Sequence, residues 1–419
     1  MLGHHSWAKN REPYANGMKA IFTAAWILFC LKVAHESMVL MNVSTRDKFF
    51  LEVYLYYNPV CLMALMVWLW GVNVYVFLNT RIPYAKVFEL EHNHLTHHEI
   101  WKIASWMTVA WITSMTAYLY LYSHGMVFHA ASQPILLYIL VPLVLGLPLD
   151  IFHMQTRFYF LRTLLRLTLP VQPISFADFF LADVLTSMAK VLSDLERSVC
   201  RMYHQQVATV AWLEPGDTCG SHSIHIPIVL AIPYVIRFLQ CIRQYHDTKD
   251  KTCLANALKY FSTFPVILLS AMKYHVLQEL WEGQLRPLWL FFAVLNSCYC
   301  FYWDIRKDWD IGFVSPSNIY IYDDMFHGCK QVYYWAIGSN LALRGAWTYK
   351  LSAHLRHNFK TVFFFSLLEM CRRFQWIFFR VEIAAIKFSN SSPTLPKVNS
   401  LIPLKDLSAE AERLLTASE

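Results

Sequence analysis

The stretch Glu369–Glu382 reads EMCRRFQWIFFRVE and carries three arginines and two glutamates inside an otherwise apolar run. The run, residues 361–385, is long enough to cross a bilayer, because about 20 helical residues span a hydrocarbon core of about 30 Å. An ionised side chain at that depth is costly, so such residues usually pair, face a water-filled cavity or mark a substrate path. This stretch therefore predicts both a membrane helix and a functional site.

The composition of the whole chain predicts an all-α membrane protein. Of its 419 residues, 56% are hydrophobic and only 16% are charged, and the mean hydropathy is +0.32, which is unusual for a water-soluble globule. The aromatic content of 16% suits membrane interfaces and tightly packed bundles. The formal net charge of +7 is modest and spread along the chain, so we expect no nucleic-acid partner.

Apolar windows of membrane-spanning length recur along the chain and predict about ten transmembrane helices. Their approximate bounds are 20–41, 54–78, 103–122, 134–154, 176–200, 226–243, 256–278, 286–304, 331–350 and 361–385. The window 176–200 carries a charge every few residues, which is typical of a helix inside the bundle. We expect a short cytosolic N-terminus (1–19), a transmembrane domain (20–388) and a flexible cytosolic tail (389–419).

The distribution of basic residues predicts the orientation of the chain in the membrane. Lysines and arginines, among them Arg11 and Arg243, are more frequent in the loops that would share a side with the N-terminus. The positive-inside rule then places both termini in the cytosol. Cys200 and Cys219 lie at the two ends of a loop on the opposite, luminal side, where an oxidising compartment permits a disulfide. Two free thiols remain an equal alternative.

Charged residues are concentrated in the last three predicted spans. Asp304 and Asp308 lie four residues apart, which places them on one helical face. Glu369 lies three residues before Arg372 and four before Arg373, so it can pair with either and orient both. These spacings predict a charged cluster inside the bundle.

Arg344, in the text LRGAW, adds a third guanidinium group to Arg372 and Arg373. Together they leave a surplus of positive charge that calls for an anion. The planar guanidinium fork matches the oxygens of phosphate or carboxylate and keeps its proton, so the sequence predicts an oxyanion site. Trp347 and Trp376 are predicted to narrow or gate the passage, with ordinary aromatic packing as an equal alternative.

The end of the same helix carries two further charges, Arg380 and Glu382. Arginines near helix ends commonly extend to the membrane interface, and internal salt bridges are the alternative. We interpret this pair as an anchor of the helix at its cytosolic end.

Six segments resemble, in their order, the motifs of the EXS family. They are SFADFFLADVLTSMAKVLSDLE (Ser175 to Glu196), IPYVIRFLQCIRQYHDTKD, NALKYFS, SCYCFYWDIRKDWD, LRGAWT and EMCRRFQWIFFRVE. The resemblance covers roughly residues 50 to 385. It implies a helical membrane domain that transports inorganic phosphate, without enzymatic activity, cofactor or metal.

The resemblance also implies the residues that hold the phosphate. They are Arg344, Arg372, Arg373, Asp304, Asp308 and Asn73, with Trp347 after the first arginine. The family tends to place a lysine and a tyrosine before a segment that here reads HMQTRF, residues 153–158. In their place, Arg157 is the expected substitute.

The resemblance further implies a cellular location. Residues 1–19 are too few for the SPX domain that precedes the membrane domain of many family members, so the chain resembles the EXS-only branch. That branch implies a Golgi membrane and the return of luminal phosphate to the cytosol, with the plasma membrane or another endomembrane as alternatives. We expect membrane lipids and a second copy of the chain as partners.

Two rival functions are open. A Golgi scaffold would bind glycosyltransferases or the machinery that retains ER luminal proteins, and would not need the intramembrane arginines. The text EHNHLTHHE contains His92, His94, His97 and His98, and four imidazoles in so short a segment are able to bind zinc or copper. The segment joins two predicted spans, so a loop that merely contains histidines is the favoured interpretation.

Overall fold

The computed structural model of the protein consists of α-helices and the short segments that connect them. It describes residues 4–41, 43–90, 95–150, 152–168, 172–208, 219–220, 222–311, 330–351 and 358–391. Within these residues, no strand is present. The all-α prediction is therefore confirmed.

The helices of the described residues follow one another in simple chain order. They are α1 (His4–Leu40), α2 (Val43–Asn79), α3 (Tyr84–Val87), α4 (His97–Ser123), α5 (Val127–Gly146), α6 (Met154–Thr168), α7 (Phe176–Ser187), α8 (Ala189–Tyr203), α9 (His225–Thr248), α10 (Lys251–Phe261), α11 (Thr263–Met272), α12 (Gln278–Leu280), α13 (Arg286–Trp303), α14 (Lys330–Arg344) and α15 (Phe359–Ser391). Two π-helical turns, Trp281–Leu285 and Asp304–Asp308, flank α13, and a 3₁₀ segment, Gly345–Leu351, follows α14.

Six helical segments of this described part are long and apolar enough to cross a membrane. They are Ile21–Leu40, Phe49–Asn79, Val127–Gly146, His225–Thr248, Lys251–Met272 and Gln278–Asp308. The shortest has 20 residues, which at about 1.5 Å per residue matches a hydrocarbon core of about 30 Å. The chain is therefore an integral, multi-pass membrane protein.

The other four predicted spans are helical but do not pass this test of length and apolarity. Residues 103–122 lie in α4, which is rich in Ser, Thr, Trp and Tyr, and residues 361–385 lie in α15, which carries charges. Residues 331–350 divide between α14 and the 3₁₀ segment. The predicted helix 176–200 is two helices, because the chain turns at Met188. The count of ten spans therefore stays a prediction.

The predicted limits of the domains fall partly outside the described residues. Helix α15 continues through Ser391, which is beyond the predicted start of the tail at residue 389. Residues 392–419 lie outside the described part of the chain, so the predicted flexible tail is not tested.

The polarity of the fold is reversed relative to a soluble protein. Large apolar side chains face outward, with Ile21 72%, Phe128 84% and Phe291 61% exposed. In contrast, Arg372 and Arg373 are only 5% and 6% exposed. Because lipid solvates apolar side chains and penalises charged ones, this arrangement suits a bundle with a polar interior.

Helix α2 is the central element and packs against α4, α8 and α15. Two clusters of buried apolar side chains meet along it. One includes Phe77 of α2 and Trp376 of α15; the other includes Tyr57 of α2 and Tyr118 of α4. α2 therefore connects the two halves of the interior.

Gly71 allows α4 to lie close against α2. A Cβ atom at this position would lie 2.5 Å from Cδ1 and Nε1 of Trp101. We expect Gly71→Ala to lower the melting temperature in detergent, because overpacking costs about 1–3 kcal/mol. Gly146→Ala is the matched control, since nothing lies within 4 Å of its Cβ position. Equal melting temperatures for the two variants would contradict this prediction.

A tight turn joins α9 to α10 outside the candidate spans. Lys249 adopts the left-handed conformation, with φ of 57°, and ends α9. Asp250 then caps α10, since its Oδ1 accepts a hydrogen bond from the Thr252 N–H at 2.8 Å. This bond lowers the pKa of the Asp250 carboxyl. The turn lies between the candidate spans His225–Thr248 and Lys251–Met272.

Candidate functional site

The charged stretch lies on α15, and its polar side chains share one face. Glu369, Arg373, Trp376 and Arg380 are spaced by four, three and four residues, so they form one stripe along the helix. The stripe contacts the end of α7 and the π-helical turn after α13. Elements far apart in the chain therefore meet at this face.

Asp304 is the carboxylate at which three helices meet. Its Oδ2 accepts hydrogen bonds from Arg344 Nε at 2.9 Å and Nη2 at 2.5 Å, and from Asn340 Nδ2 at 3.0 Å. Arg372 Nη1 lies 3.8 Å from the same oxygen. One buried carboxylate thus fixes two arginines, one from α14 and one from α15.

A single π-helical turn begins at Asp304 and ends at Asp308. The Trp309 N–H donates to the Asp304 carbonyl at 2.8 Å, five residues back, which widens the turn. Asp308 has different partners from those of Asp304: its Oδ2 accepts from Trp376 Nε1 at 3.1 Å, and its Oδ1 lies 3.8 Å from Arg380 Nε. The predicted proximity of the two aspartates agrees with their electrostatic interaction, but only Asp308 contacts the α15 stripe, whereas Asp304 contacts Arg344 and Arg372.

Arg372 is held by Glu369, as predicted from their spacing. Its Nε and Nη2 donate to the two carboxylate oxygens at 2.9 and 2.5 Å, and Nη2 also reaches Ser187 Oγ at 3.3 Å. Its Nη1 is buried and makes no hydrogen bond with any described residue. Arg372 therefore keeps one donor available for a ligand.

Arg373 is buried beside hydroxyl groups instead of a carboxylate. Its Nε donates to Ser187 Oγ at 2.7 Å and its Nη2 to Thr186 Oγ1 at 3.0 Å. Its guanidinium carbon lies 4.5 Å from the centre of the Trp376 ring. Within the described residues, no carboxylate lies within 4.0 Å of this guanidinium, so its charge is not neutralised by a direct ion pair.

A second buried group extends the site towards α9 and α10. Asp183 Oδ1 accepts from Arg237 Nε at 2.9 Å and from the Tyr260 hydroxyl at 2.5 Å. Lys259 is buried, and its Nζ lies 4.3 Å from the Tyr260 ring centre and 5.3 Å from that of Trp303. Asp183 also interacts electrostatically with Lys259 and Arg373, which links this group to the α15 stripe.

The combined cluster has more basic than acidic side chains. Its basic members are Arg237, Lys259, Arg344, Arg372, Arg373 and Arg380, and its acidic members are Asp183, Asp304, Asp308 and Glu369. Six cations against four carboxylates leave two positive charges in excess. A buried excess of this size favours binding of a small anion of one or two charges.

A family model identifies the chain from its sequence. The model of the EXS family matches residues 53–386, which include every side chain of the cluster. The chain belongs to the EXS family. Its predicted resemblance is thereby confirmed.

Curated relatives of the EXS chain support the same assignment. It is 32% identical over 382 residues to SPX and EXS domain-containing protein 1 of Dictyostelium discoideum, covering 83% of this chain and 40% of the relative. It is 31% identical over 341 residues to solute carrier family 53 member 1 of Mus musculus, and 32% identical over 340 residues to the xenotropic and polytropic retrovirus receptor 1 homolog of Xenopus laevis. Both matches cover 77% of this chain and 48% of the relative. The chain thus spans less than half the length of these relatives.

Several residues of the EXS site were missed by the sequence analysis. Thr186 and Ser187 on α7 contact Arg373, and Lys259 and Tyr260 on α10 adjoin Asp183. This chain lacks the lysine and tyrosine that the family tends to place before the segment at residues 153–158, but NALKYFS supplies such a pair. Because NALKYFS was one of the six motifs that resemble the family, its lysine and tyrosine could have been identified as site residues from the sequence.

Asn73 of the EXS protein is fully buried on α2. Both polar atoms of its side chain lack a hydrogen-bond partner among the described residues. No described contact joins Asn73 to the arginines. Its phosphate-binding role stays a prediction, and the unsatisfied amide is compatible with a ligand or water at this depth.

Arg157 lies apart from the cluster and closes the end of α5. Its guanidinium donates to the carbonyl oxygens of Val144, Leu147 and Leu149, the second at 3.0 Å. These carbonyls lie in the last turn of α5 or just after it, where backbone acceptors lack intrahelical donors. The described contacts therefore give Arg157 a structural role, and none of them supports its predicted role at the phosphate site.

We expect Arg157→Ala to lower the melting temperature of the EXS protein by several degrees in detergent. The three carbonyls would lose a charged donor, and a hydrogen bond to a charged group contributes about 1.5–3 kcal/mol. Arg243→Ala is the control, because its partner Asp247 lies on an exposed helix end. An unchanged melting temperature for Arg157→Ala would refute the capping role.

The two tryptophans of the predicted gate have different surroundings. Trp376 is buried between Arg373 and Asp308. Trp347 lies in the 3₁₀ segment, with its ring centre 5.8 Å from that of Trp289 in an edge-to-face arrangement. The gating roles stay predictions, and Trp376 is the one in direct contact with the arginine stripe.

Arg380 and Glu382 do not form one interfacial anchor. Glu382 is fully buried, and its Oε1 accepts a hydrogen bond from the Tyr333 hydroxyl at 2.8 Å. Arg380 lies beside Asp308. The two side chains point to different neighbours because residues two apart on a helix lie on nearly opposite faces.

A disulfide joins Cys200 to Cys219, with their Cα atoms 5.8 Å apart. These two sulfurs and His204 form the one group of potential metal ligands found among the described residues, but the disulfide occupies both sulfurs. Of the histidine segment, residues 91–94 lie outside the described part of the chain. The rings of His97 and His98 lie 4.0 Å apart, which does not decide whether the segment binds a metal.

Proposed function

We propose that this EXS protein transports inorganic phosphate across an internal membrane, through the arginine cluster between α7, α14 and α15. The observation that carries this proposal is Arg373, a buried guanidinium whose bonds in the described structure are to hydroxyls. Arg372, with one buried donor unused, lies beside it. Both features provide donors that a small anion would satisfy.

Phosphate fits the chemistry of the cluster better than a monovalent spherical anion. Guanidinium groups bind tetrahedral oxyanions through paired N–H donors, and Ser187 and Thr186 offer hydroxyls that either donate or accept. Asp304 and Asp183 limit the positive excess, so that the anion is bound weakly enough to leave. The name of the relative in Mus musculus, a solute carrier, supports transport as the class of function.

The finer parts of the proposal concern place and direction. We propose a Golgi membrane, cytosolic termini and movement of luminal phosphate to the cytosol, with a second copy of the chain as partner. The runner-up function is a scaffold that retains glycosyltransferases. A scaffold would tolerate loss of the buried arginines, whereas a phosphate path through them would not.

The test is phosphate flux into proteoliposomes that contain the purified protein. We expect wild type and Arg243→Ala to carry phosphate, and Arg344→Ala to lose at least about tenfold in rate, because a charged partner of Asp304 is removed. The absence of flux in the wild type would sink the transport function. Equal flux in Arg344→Ala and wild type would sink the arginine path.

A further inference from the structure

Helix α8 starts at the arginine cluster and carries a polar stripe away from it. The stripe consists of Lys190, Asp194, Arg197 and Arg201, spaced by four, three and four residues, which places them on one helical face. Its first member lies three residues after Ser187, whose hydroxyl contacts both Arg372 and Arg373. At about 1.5 Å per residue, the stripe extends about 16 Å along the helix, which is about half of the hydrocarbon core.

The middle of the stripe lies inside the bundle. Asp194 is 3% exposed and forms an ion pair with Lys190. Ser198, one turn further, donates through its hydroxyl to the Leu55 carbonyl at 3.0 Å and so fixes α8 against α2. Asp194 is therefore held at a helix–helix contact, whereas the Lys190 side chain is 43% exposed.

The far end of the stripe is rich in arginine donors. Arg197 Nε is buried and has no hydrogen-bond partner among the described residues. Arg201 lies beside Tyr56 and Glu52 of α2. Glu52 is itself engaged, because its Oε1 accepts from the Ala208 N–H at 2.6 Å. Arg201 is thus next to a carboxylate of α2, and Arg197, one turn earlier on α8, keeps one buried donor without a partner among the described residues.

We propose that Arg197 and Arg201 form a second oxyanion station, between the central arginine cluster and the end of the bundle that carries the Cys200–Cys219 disulfide. This inference rests on the proposed transport function and adds the route on that side of the membrane. The ligand is a phosphate-type oxyanion, held by guanidinium donors and passed along the α8 stripe. Lys190, paired with Asp194, lies between the two stations.

Binding at two sites of moderate strength explains how an anion would leave a strongly basic cluster. An anion held only at Arg372 and Arg373 would have to cross the apolar interior of the bundle without a further binding site before it reached water. A second station lowers that barrier, since conduction needs sites that bind in series and release readily. Loss of the station should therefore affect transport more than binding at the central cluster.

The first experiment measures phosphate flux for the double variant Arg197→Gln/Arg201→Gln in proteoliposomes, with Arg243→Gln as a matched surface control. We expect the flux to fall at least about tenfold in the double variant, while inorganic phosphate still raises the melting temperature of the detergent-solubilised variant as it does for wild type. The variant Arg197→Lys/Arg201→Lys, which keeps both charges, should recover part of the flux. If the double variant carries phosphate as fast as Arg243→Gln does, the second station is overturned, whereas the proposed path through Arg372 and Arg373 is not. Absence of flux in the wild type would instead overturn the transport function on which the station rests.

The second experiment distinguishes free phosphate from the phosphate of a lipid headgroup. Phenylglyoxal modifies accessible arginines, and peptide mass spectrometry quantifies the modification at Arg197 and Arg201. We expect inorganic phosphate to protect both residues in detergent, in a concentration-dependent way that chloride at equal ionic strength does not reproduce. Protection that requires added phospholipid and ignores inorganic phosphate would overturn the station as part of the transport route.

Discussion

Arg373→Ala is expected to abolish phosphate flux in proteoliposomes while leaving the fold intact. Arg373 is the buried cation whose described bonds are to Ser187 and Thr186, so its removal strands no partner carboxylate. Loss of a desolvated charged donor costs about 2–5 kcal/mol of binding, which is more than tenfold in phosphate affinity. The melting temperature without phosphate should stay close to that of wild type.

Three measurements on Arg373→Ala test this expectation: flux, phosphate binding and the melting temperature in detergent. Arg373→Lys is the matched variant, because it keeps the charge but loses the planar fork, and it should retain a fraction of the flux. Arg243→Ala, in an exposed pair, should behave as wild type. If Arg373→Ala transports phosphate at the wild-type rate, the central cluster is not the anion path.

Asp304→Asn is expected to have the opposite pattern, with tighter phosphate binding, slower flux and a less stable protein. The Asp304 carboxylate binds Arg344 directly and lies 3.8 Å from Arg372. Neutralising it leaves Arg344 without its counterion and Arg372 with Glu369 alone, and breaking a buried ion pair costs about 3–5 kcal/mol. The positive excess would rise from two charges to three, so bound phosphate would compensate for the lost carboxylate and leave more slowly.

The test compares the melting temperature of Asp304→Asn with and without phosphate. We expect a large fall without phosphate and a larger recovery on its addition than in wild type, together with reduced flux. Asp247→Asn is the control, since its partner Arg243 is on an exposed helix end and surface pairs contribute little. Equal stability and flux in Asp304→Asn and wild type would contradict the central role of this carboxylate.

Local spacing identified the parts of the site that lie on one helix. Glu369 and Arg372 are three residues apart, and the structure pairs them. Asp304 and Asp308 lie in a π-helical turn instead of the expected α-helix, and they interact electrostatically, but they bind different side chains of α14 and α15. Spacing along one helix predicts which residues are neighbours, but not which side chains of other helices each of them binds.

Contacts between distant segments were harder to predict. Ser187 and Arg373 are 186 residues apart, and a serine in an apolar run has no sequence feature that marks it as the partner of an arginine. Arg157 was predicted as a substitute for a lysine and a tyrosine of the family, whereas its described hydrogen bonds are to carbonyls at the end of α5. Which charge binds a ligand and which one stabilises a helix end depends on tertiary neighbours.

The sequence by itself determined the all-α membrane architecture, the EXS family and the surplus of buried arginines, since hydropathy, motif order and charge are properties of the chain. Only the tertiary structure decided which of those charges are neutralised. Asp304 compensates Arg344 and lies near Arg372, while Arg373 faces hydroxyls and an indole ring. The physical reason is that charge compensation in a low-dielectric interior depends on distances of a few ångströms between residues that the sequence separates widely.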